Sequence, residues 1–267
     1  MAQRWRLLVE PIPATGWWNM AVDEVLLAGA TTGATPVLRL YAWNGPWLSL
    51  GYGQPFSAAR GAACRDTGVE VLRRVTGGRA VLHGADLTYG IAAPAAALPA
   101  GLDSSYRLLS DAILLALREL GIEAERAATA AAIAPGAGFD CFAAPATDEI
   151  CVGGRKLAGS AQRRAAGAVL QHGSIRVEPN PAVAAAAVGL GRGATSLREL
   201  GVPAERAREI LGDALPAALG RLLEVEFVAD ALRAEERRAA EEGALRLRRD
   251  PLRRRAARSF SASREPR

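Results

Sequence analysis

Most segments that read as β-strands lie before residue 178, and almost everything after it reads as helix. That asymmetry restricts the fold most. Many strands ahead of a helical C-terminal third predict an α+β architecture, a single large domain with a mixed β-sheet flanked by helices. Strands are expected at 5–9, 36–41, 47–51, 69–74, 86–91, 149–152, 156–163 and 168–177, with a short one at 224–228. The segments 36–41 and 47–51 read as a pair across the Asn44-Gly45-Pro46 turn, and 149–152 with 156–163 as a hairpin about Gly153-Gly154. Helices are expected at 19–28, from Asp103 or Ser104 to about 120, and at 180–188, 196–200, 204–220 and 230–248. Residues 127–147, rich in Ala, Pro and Gly, read as a loop of a length that is more often functional than not. The division predicted is one large unit over 1–231, followed by a C-terminal helix and a disordered Arg-rich tail over 232–267.

The sequence pI is near 9.6, so the location of the charge matters. Residues 251–267 hold six arginines against one glutamate, a net +5 that equals the charge of the whole chain. The body is therefore formally neutral, and the reading is a solvated tail with no nucleic-acid face. No apolar run is long enough to predict a membrane span. Three cysteines without close pairing predict a reducing, cytoplasmic setting.

Residue types that carry chemistry are scarce. There are two histidines, His83 and His172, and of 33 basic residues Lys156 alone is lysine. No spacing suits a zinc or iron–sulfur site, so no metal is expected. Three stretches stand out. In Arg73-Arg74-Val75-Thr76-Gly77-Gly78-Arg79-Ala80-Val81-Leu82-His83 the glycines let backbone N–H groups approach a ligand, and Arg and Thr can hold an anionic or carbonyl group. The same pattern also describes a tight turn with solvated arginines, and His83 equally a hydrogen-bonded core histidine. Cys141 lies in the long loop, fifteen residues before Lys156, where a nearby cation would favour the thiolate; the alternative is an inert loop thiol. Gln171-His172-Gly173-Ser174 either lines a pocket or ends a strand.

Together these segments resemble the catalytic domain shared by biotin protein ligases, lipoate protein ligases and octanoyltransferases. Asn19-Met20-Ala21-Val22-Asp23-Glu24 resembles its first helix, Arg73 to His83 its glycine loop, Gly154 to Gln162 its lysine strand, and Leu170 to Ser174 the strand after it. Gly77-Gly78-Arg79 in place of three glycines, with Cys141-Phe142 upstream of the lysine, resembles the LipM-type octanoyltransferases. The resemblance implies that Cys141 is the nucleophile, which carries octanoyl as a thioester, and that Lys156 stabilises its thiolate and grips the acyl carbonyl. It implies substrate contacts from Arg73, Arg74, Thr76, Gly77, Gly78, Arg79, His83, Gly159, Ser160, Gln162 and His172. The donor implied is octanoyl-acyl carrier protein, and the acceptor the lysine of an apo lipoyl domain such as the glycine cleavage H protein. No cofactor is implied. An ATP-dependent lipoate ligase and a non-catalytic binding module of the same fold are the alternatives. Where the family has His-Asp this chain reads His83-Gly84, so that carboxylate is either missing or supplied by Asp86. Leu72, Val81 and Leu82 are the expected lining of an acyl tunnel.

Overall fold

Strand alternation sorts side chains to two faces of a sheet, and here both faces are covered. The computed structural model describes residues 3–128, 139–142, 145–189 and 193–253. In chain order the elements are β1 (Gln3–Val9), α1 (Gly16–Thr31), β2 (Val37–Tyr41), β3 (Trp47–Leu50), α2 (Ala58–Asp66), β4 (Glu70–Arg73), β5 (Val81–His83), β6 (Asp86–Pro94) and α3 (Leu102–Arg118). There follow β7 (Glu125–Arg126), β8 (Ile150–Val152), β9 (Arg155–Ala165), β10 (Ala168–Arg176), α4 (Ala182–Val188), α5 (Ala204–Leu223), β11 (Val225–Ala229) and α6 (Ala234–Arg249).

The large sheet is mixed, in the order β11-β1-β2-β6-β10-β9-β8-β7, with β1 parallel to both β11 and β2. Leu38, Leu40, Ile91 and Val169 face a core closed by Leu109, Ile113 and Leu117 of α3 and Leu211 and Leu215 of α5. Their strand neighbours Val37, Ala92 and Leu170 face the other way, against Val22, Leu26 and Leu27 of α1 and Ala240 of α6. Each such aliphatic side chain, fully buried, contributes on the order of 2 kcal/mol. α6 is tied to the sheet through Arg6, which binds Asp230 at 2.6 Å and Glu236 at 2.6 Å. The chain after α6 returns to β4, where the Arg73 N–H donates to the Pro251 carbonyl at 2.7 Å. Among the described residues no helix is long and apolar enough to cross a membrane.

Three expectations change. β2 and β3 do not pair: β2 joins β1 and β6, whereas β3 joins β4 and β5 in a separate three-stranded sheet. The pairing that wins is nonlocal: Trp47, Leu48 and Ser49 of β3 take His83, Leu82 and Val81 of β5 as partners, and β2 takes β6. Residues 196–200 form turns rather than a helix, with Ser196 Oγ donating to the Glu199 carboxylate. Helix α2, not expected from its Ala-Ala-Arg-Gly-Ala-Ala-Cys-Arg-Asp sequence, is started by Ser57, whose hydroxyl accepts the Arg60 N–H. The hairpin between β8 and β9 forms as expected, with Gly153 and Gly154 both at positive φ.

Candidate active site

A cavity of about 590 Å³ opens between the small sheet, the middle of the large one and the N-terminal end of α3. Its walls come from the three stretches singled out in the sequence. Arg74, Gly77, Gly78, Arg79 and His83 line one side; Cys141, Gly159, Ser160 and Gln162 the other; His172 and Gly173 lie on β10 between them. Arg73, Thr76 and Lys156 lie behind the wall.

Strand alternation also corrects the tunnel. Val81 and His83 point into the cavity, while Leu82 between them packs with Leu48 and Leu50, and Leu72 with Trp43 and Trp47. The apolar wall is completed by Met20, Tyr41, Trp43, Leu102 and Tyr106.

Cys141 reaches this place by pairing with the residue that follows the glycine loop. The Cys141 N–H donates to the Ala80 carbonyl at 2.9 Å, and the Ala80 N–H to that of Phe139 at 3.0 Å. Asp140 turns the chain immediately afterwards by accepting the Phe142 N–H at 2.7 Å. Phe142 buries itself against Val81 and Ala194. This leaves the Cys141 thiol half-buried and facing the cavity.

Lys156 is 0% exposed. Its Nζ donates to the Cys141 carbonyl at 2.8 Å, approaches Cys141 Sγ at 3.4 Å and pairs with Glu149 Oε1 at 2.5 Å. An ammonium has three N–H groups, and each has a partner. Glu149 Oε2 in turn accepts the Ala146 N–H at 2.6 Å. The lysine side chain runs over Gly159, where a Cβ would stand 2.7 Å from both Cε and Nζ. Glu149 is the residue that the sequence reading missed; nothing in its surroundings marked it, since a buried carboxylate looks like a surface one in a sequence.

On the other side, Arg74 is also buried. Its Nε donates to Thr76 Oγ1 at 3.1 Å, Nη1 to the carbonyl and hydroxyl of Ser49 at 2.9 and 3.2 Å, and Nη2 to the carbonyls of Gly77 and Arg79 at 2.7 and 2.8 Å. Every guanidinium N–H is therefore spent, three on the loop itself and two on Ser49 of β3. Burial pulls the group down to about 10. Arg73 likewise donates to the carbonyls of Gly51, Tyr52, Gln54 and Leu252.

From Arg74 two hydroxyl–imidazole–carboxylate chains run outward. Ser49 Oγ meets His83 Nε2 at 2.9 Å, and His83 Nδ1 meets Asp86 Oδ2 at 2.8 Å. Thr76 Oγ1 meets His172 Nε2 at 2.6 Å, and His172 Nδ1 meets Asp23 Oδ2 at 2.8 Å. An ionised carboxylate can only accept, so each Nδ1 donates its hydrogen to the carboxylate it meets. Burial lowers His172 below the ordinary imidazole value, against the pull of Asp23. Burial alone would raise Asp86, but His83, the Ser174 hydroxyl and the Gly84 N–H outweigh it and hold the carboxylate at about 2. Asp86 thus stands against His83 where the sequence offered Gly84. Asp23 pairs with Arg39 as well, a cation 0% exposed whose Nη1 is 2.9 Å away.

The wall that carries Ser160 and Gln162 is fixed by polar contacts between β6, β9, β10 and α3. Gln162 Nε2 donates to Gln171 Oε1 at 2.7 Å and to Ser105 Oγ at 3.1 Å, and Tyr89 Oη lies 2.6 Å from Ser160 Oγ. Burial raises the Tyr106 phenol, and Glu149 adds to the effect.

A family model described as the lipoyl protein ligase A/B catalytic domain matches residues 15–215. The LipM octanoyltransferase of Kyrpidia tusciae is 36% identical over 264 residues, an alignment covering 90% of this chain and 94% of that one. The LipM octanoyltransferase of Moorella thermoacetica is 42% identical over 187 residues, 65% of each chain. Among solved structures, lipoate-protein ligase A bound with ATP superposes with a TM-score of 0.74 at 22% identity, covering 90% of this chain and 94% of that one. A bi-partite lipoate protein ligase from Thermoplasma acidophilum gives 0.67 at 22%, covering 91% and 92%. These two structures carry the fold alone.

Proposed function

The chain belongs to the lipoyl protein ligase A/B catalytic-domain family, and from that premise we propose that it is an octanoyltransferase of protein lipoylation, working through a thioester on Cys141. The observation that carries this reading is the 3.4 Å approach of the Lys156 ammonium to the Cys141 sulfur at the wall of a largely apolar cavity. A cation at that distance favours negative charge on sulfur, and the thiolate is the nucleophile.

Octanoyl-acyl carrier protein delivers its thioester to the cavity, and Cys141 Sγ attacks the carbonyl carbon. As the sulfur lone pair enters the new bond, the N–H that Lys156 had aimed at Sγ becomes available to the oxygen on which charge develops. The carrier thiolate leaves and takes up a proton, and octanoyl remains on Cys141. The amine of a lipoyl-domain lysine then attacks this thioester; C–N forms, C–S breaks, and the amine proton passes to the departing Cys141 thiolate. Val81, Met20 and Trp43 suit an aliphatic chain. Thioester exchange requires no ATP in this scheme.

Intact mass after mixing the protein with octanoyl-acyl carrier protein, without ATP, tests the reading. One octanoyl group removable by hydroxylamine is expected on the wild type and none on Cys141→Ala. Octanoylation of a lipoyl domain only with ATP and free acid, unaffected by Cys141→Ala, would point to a ligase and sink the proposal.

A further inference from the structure

The acceptor in the proposed reaction is a lysine amine attacking the Cys141 thioester, yet the enzyme keeps a lysine of its own beside that sulfur. Lys156 Nζ stands 3.4 Å from Cys141 Sγ, within the range of about 3–3.5 Å from which bound groups react, and the thioester carbon would be one bond beyond. An octanoyl group moved to Nζ would form an amide that no later step removes. What the site needs is a means to keep Lys156 an ammonium, which has no lone pair with which to attack.

Charge balance identifies that means. In the resting site the Lys156 cation faces the Glu149 carboxylate at 2.5 Å, both almost wholly buried. The sulfur can balance the cation only as a thiolate. Acylation removes that charge and leaves Glu149, among the described residues, as the sole anion in contact with Nζ, since its other partners are the Cys141 carbonyl and Sγ. A buried ammonium without a counter-ion gives up its proton rather than pay the desolvation cost. Glu149 is itself held in place by the Ala146 N–H.

We infer that Glu149 is a positioning residue that decides which amine receives the acyl group, by keeping Lys156 charged throughout the life of the acyl-enzyme. This rests on the proposed Cys141 thioester. When Glu149 is absent, neutral Lys156 Nζ attacks the thioester carbon, C–N forms and C–S breaks, and the amine proton passes to the departing thiolate. The products are an octanoyl amide on Lys156 and a free Cys141 thiol.

The experiment compares the wild type with Glu149→Gln, Glu149→Ala and Glu149→Asp. Each is loaded with octanoyl-acyl carrier protein, held without acceptor, treated with hydroxylamine, and read by intact mass and peptide mapping. The wild type should lose its whole adduct. In Glu149→Gln a hydroxylamine-resistant adduct on Lys156 should accumulate where the wild type shows none, and Glu149→Asp, which keeps the carboxylate, should suppress it again. Glu149→Ala repeats the test with a smaller side chain where Gln disturbs folding. A merely structural role lowers loading without creating the amide. Entirely labile adducts in both Gln and Ala variants, or a Lys156 amide in the wild type, would overturn the inference. A wild type that takes up no octanoyl at all defeats the thioester reading instead.

Discussion

Two buried cations flank one cavity, Arg74 in its wall and Lys156 behind it, and they are used differently. Arg74 gives all its N–H groups to carbonyls and hydroxyls of the glycine loop and its neighbour Ser49. Lys156 gives its three to a carboxylate, a carbonyl and the one half-buried sulfur at the cavity wall. A planar fork with many donors suits the first task, holding several backbone oxygens in one arrangement. A compact ammonium suits the second, since one of its N–H groups can change partner during a reaction. The contrast teaches that burial and charge alone do not mark a reacting group; what matters is whether its hydrogen-bond partners are fixed backbone or atoms that change.

The contrast is most exposed to Lys156→Arg. The charge survives, but a guanidinium does not fit over Gly159 between Glu149 and Cys141, so the rate of octanoyl loading should fall by about two to three orders of magnitude. Near-normal loading, followed by intact mass over time, would erase the distinction between the two cations. Next comes Arg74→Lys, which should act chiefly on stability. Leaving several buried loop acceptors unpaired costs about 3 kcal/mol, readable as a lower midpoint in urea, while loading of the folded fraction changes less than about tenfold. A large loss of loading at unchanged stability would move Arg74 into the chemistry.

The smallest effect concerns the two chains that leave Arg74. The Asp86 carboxylate sits at about 2 in the folded protein against an ordinary value near 4. Its contribution, about 2 kcal/mol, is present above the ordinary value and lost as pH falls toward 2. His172 is lowered by burial, so the unfolded chain binds its proton first and stability begins to fall as pH drops below the usual imidazole value. Unfolding free energy should therefore decline in two acid steps. In Asp86→Asn the lower step should shrink; an unchanged acid profile in that variant would show that Asp86 is not the group that produces it.

Much of this was legible in the chain. The alternation in 36–41 and 86–91, the stripe of α3 and the hairpin glycines at 153 and 154 are local patterns, and local patterns survive in a sequence. Cys141 and Lys156 stood out because their residue types are rare here. The partition of β2 and β3 into different sheets was not legible, because each pairs with a strand distant in sequence, β2 with β6 and β3 with β5. The sorting of Val81 toward the cavity and Leu82 away from it required the sheet that gives β5 its two faces.

By itself, then, the sequence determined the α+β class, and it singled out the three stretches that meet at the cavity together with Cys141 and Lys156. Only the tertiary structure decided how the cations are spent: Arg74 on its own loop and on Ser49, Lys156 between Cys141 and Glu149, and Asp86 against His83. The reason is physical. Secondary structure and rare side chains are written in short windows of sequence, whereas a counter-ion is chosen by packing among residues brought together from separate strands, and its distance, a few ångströms, exists only once the chain has folded.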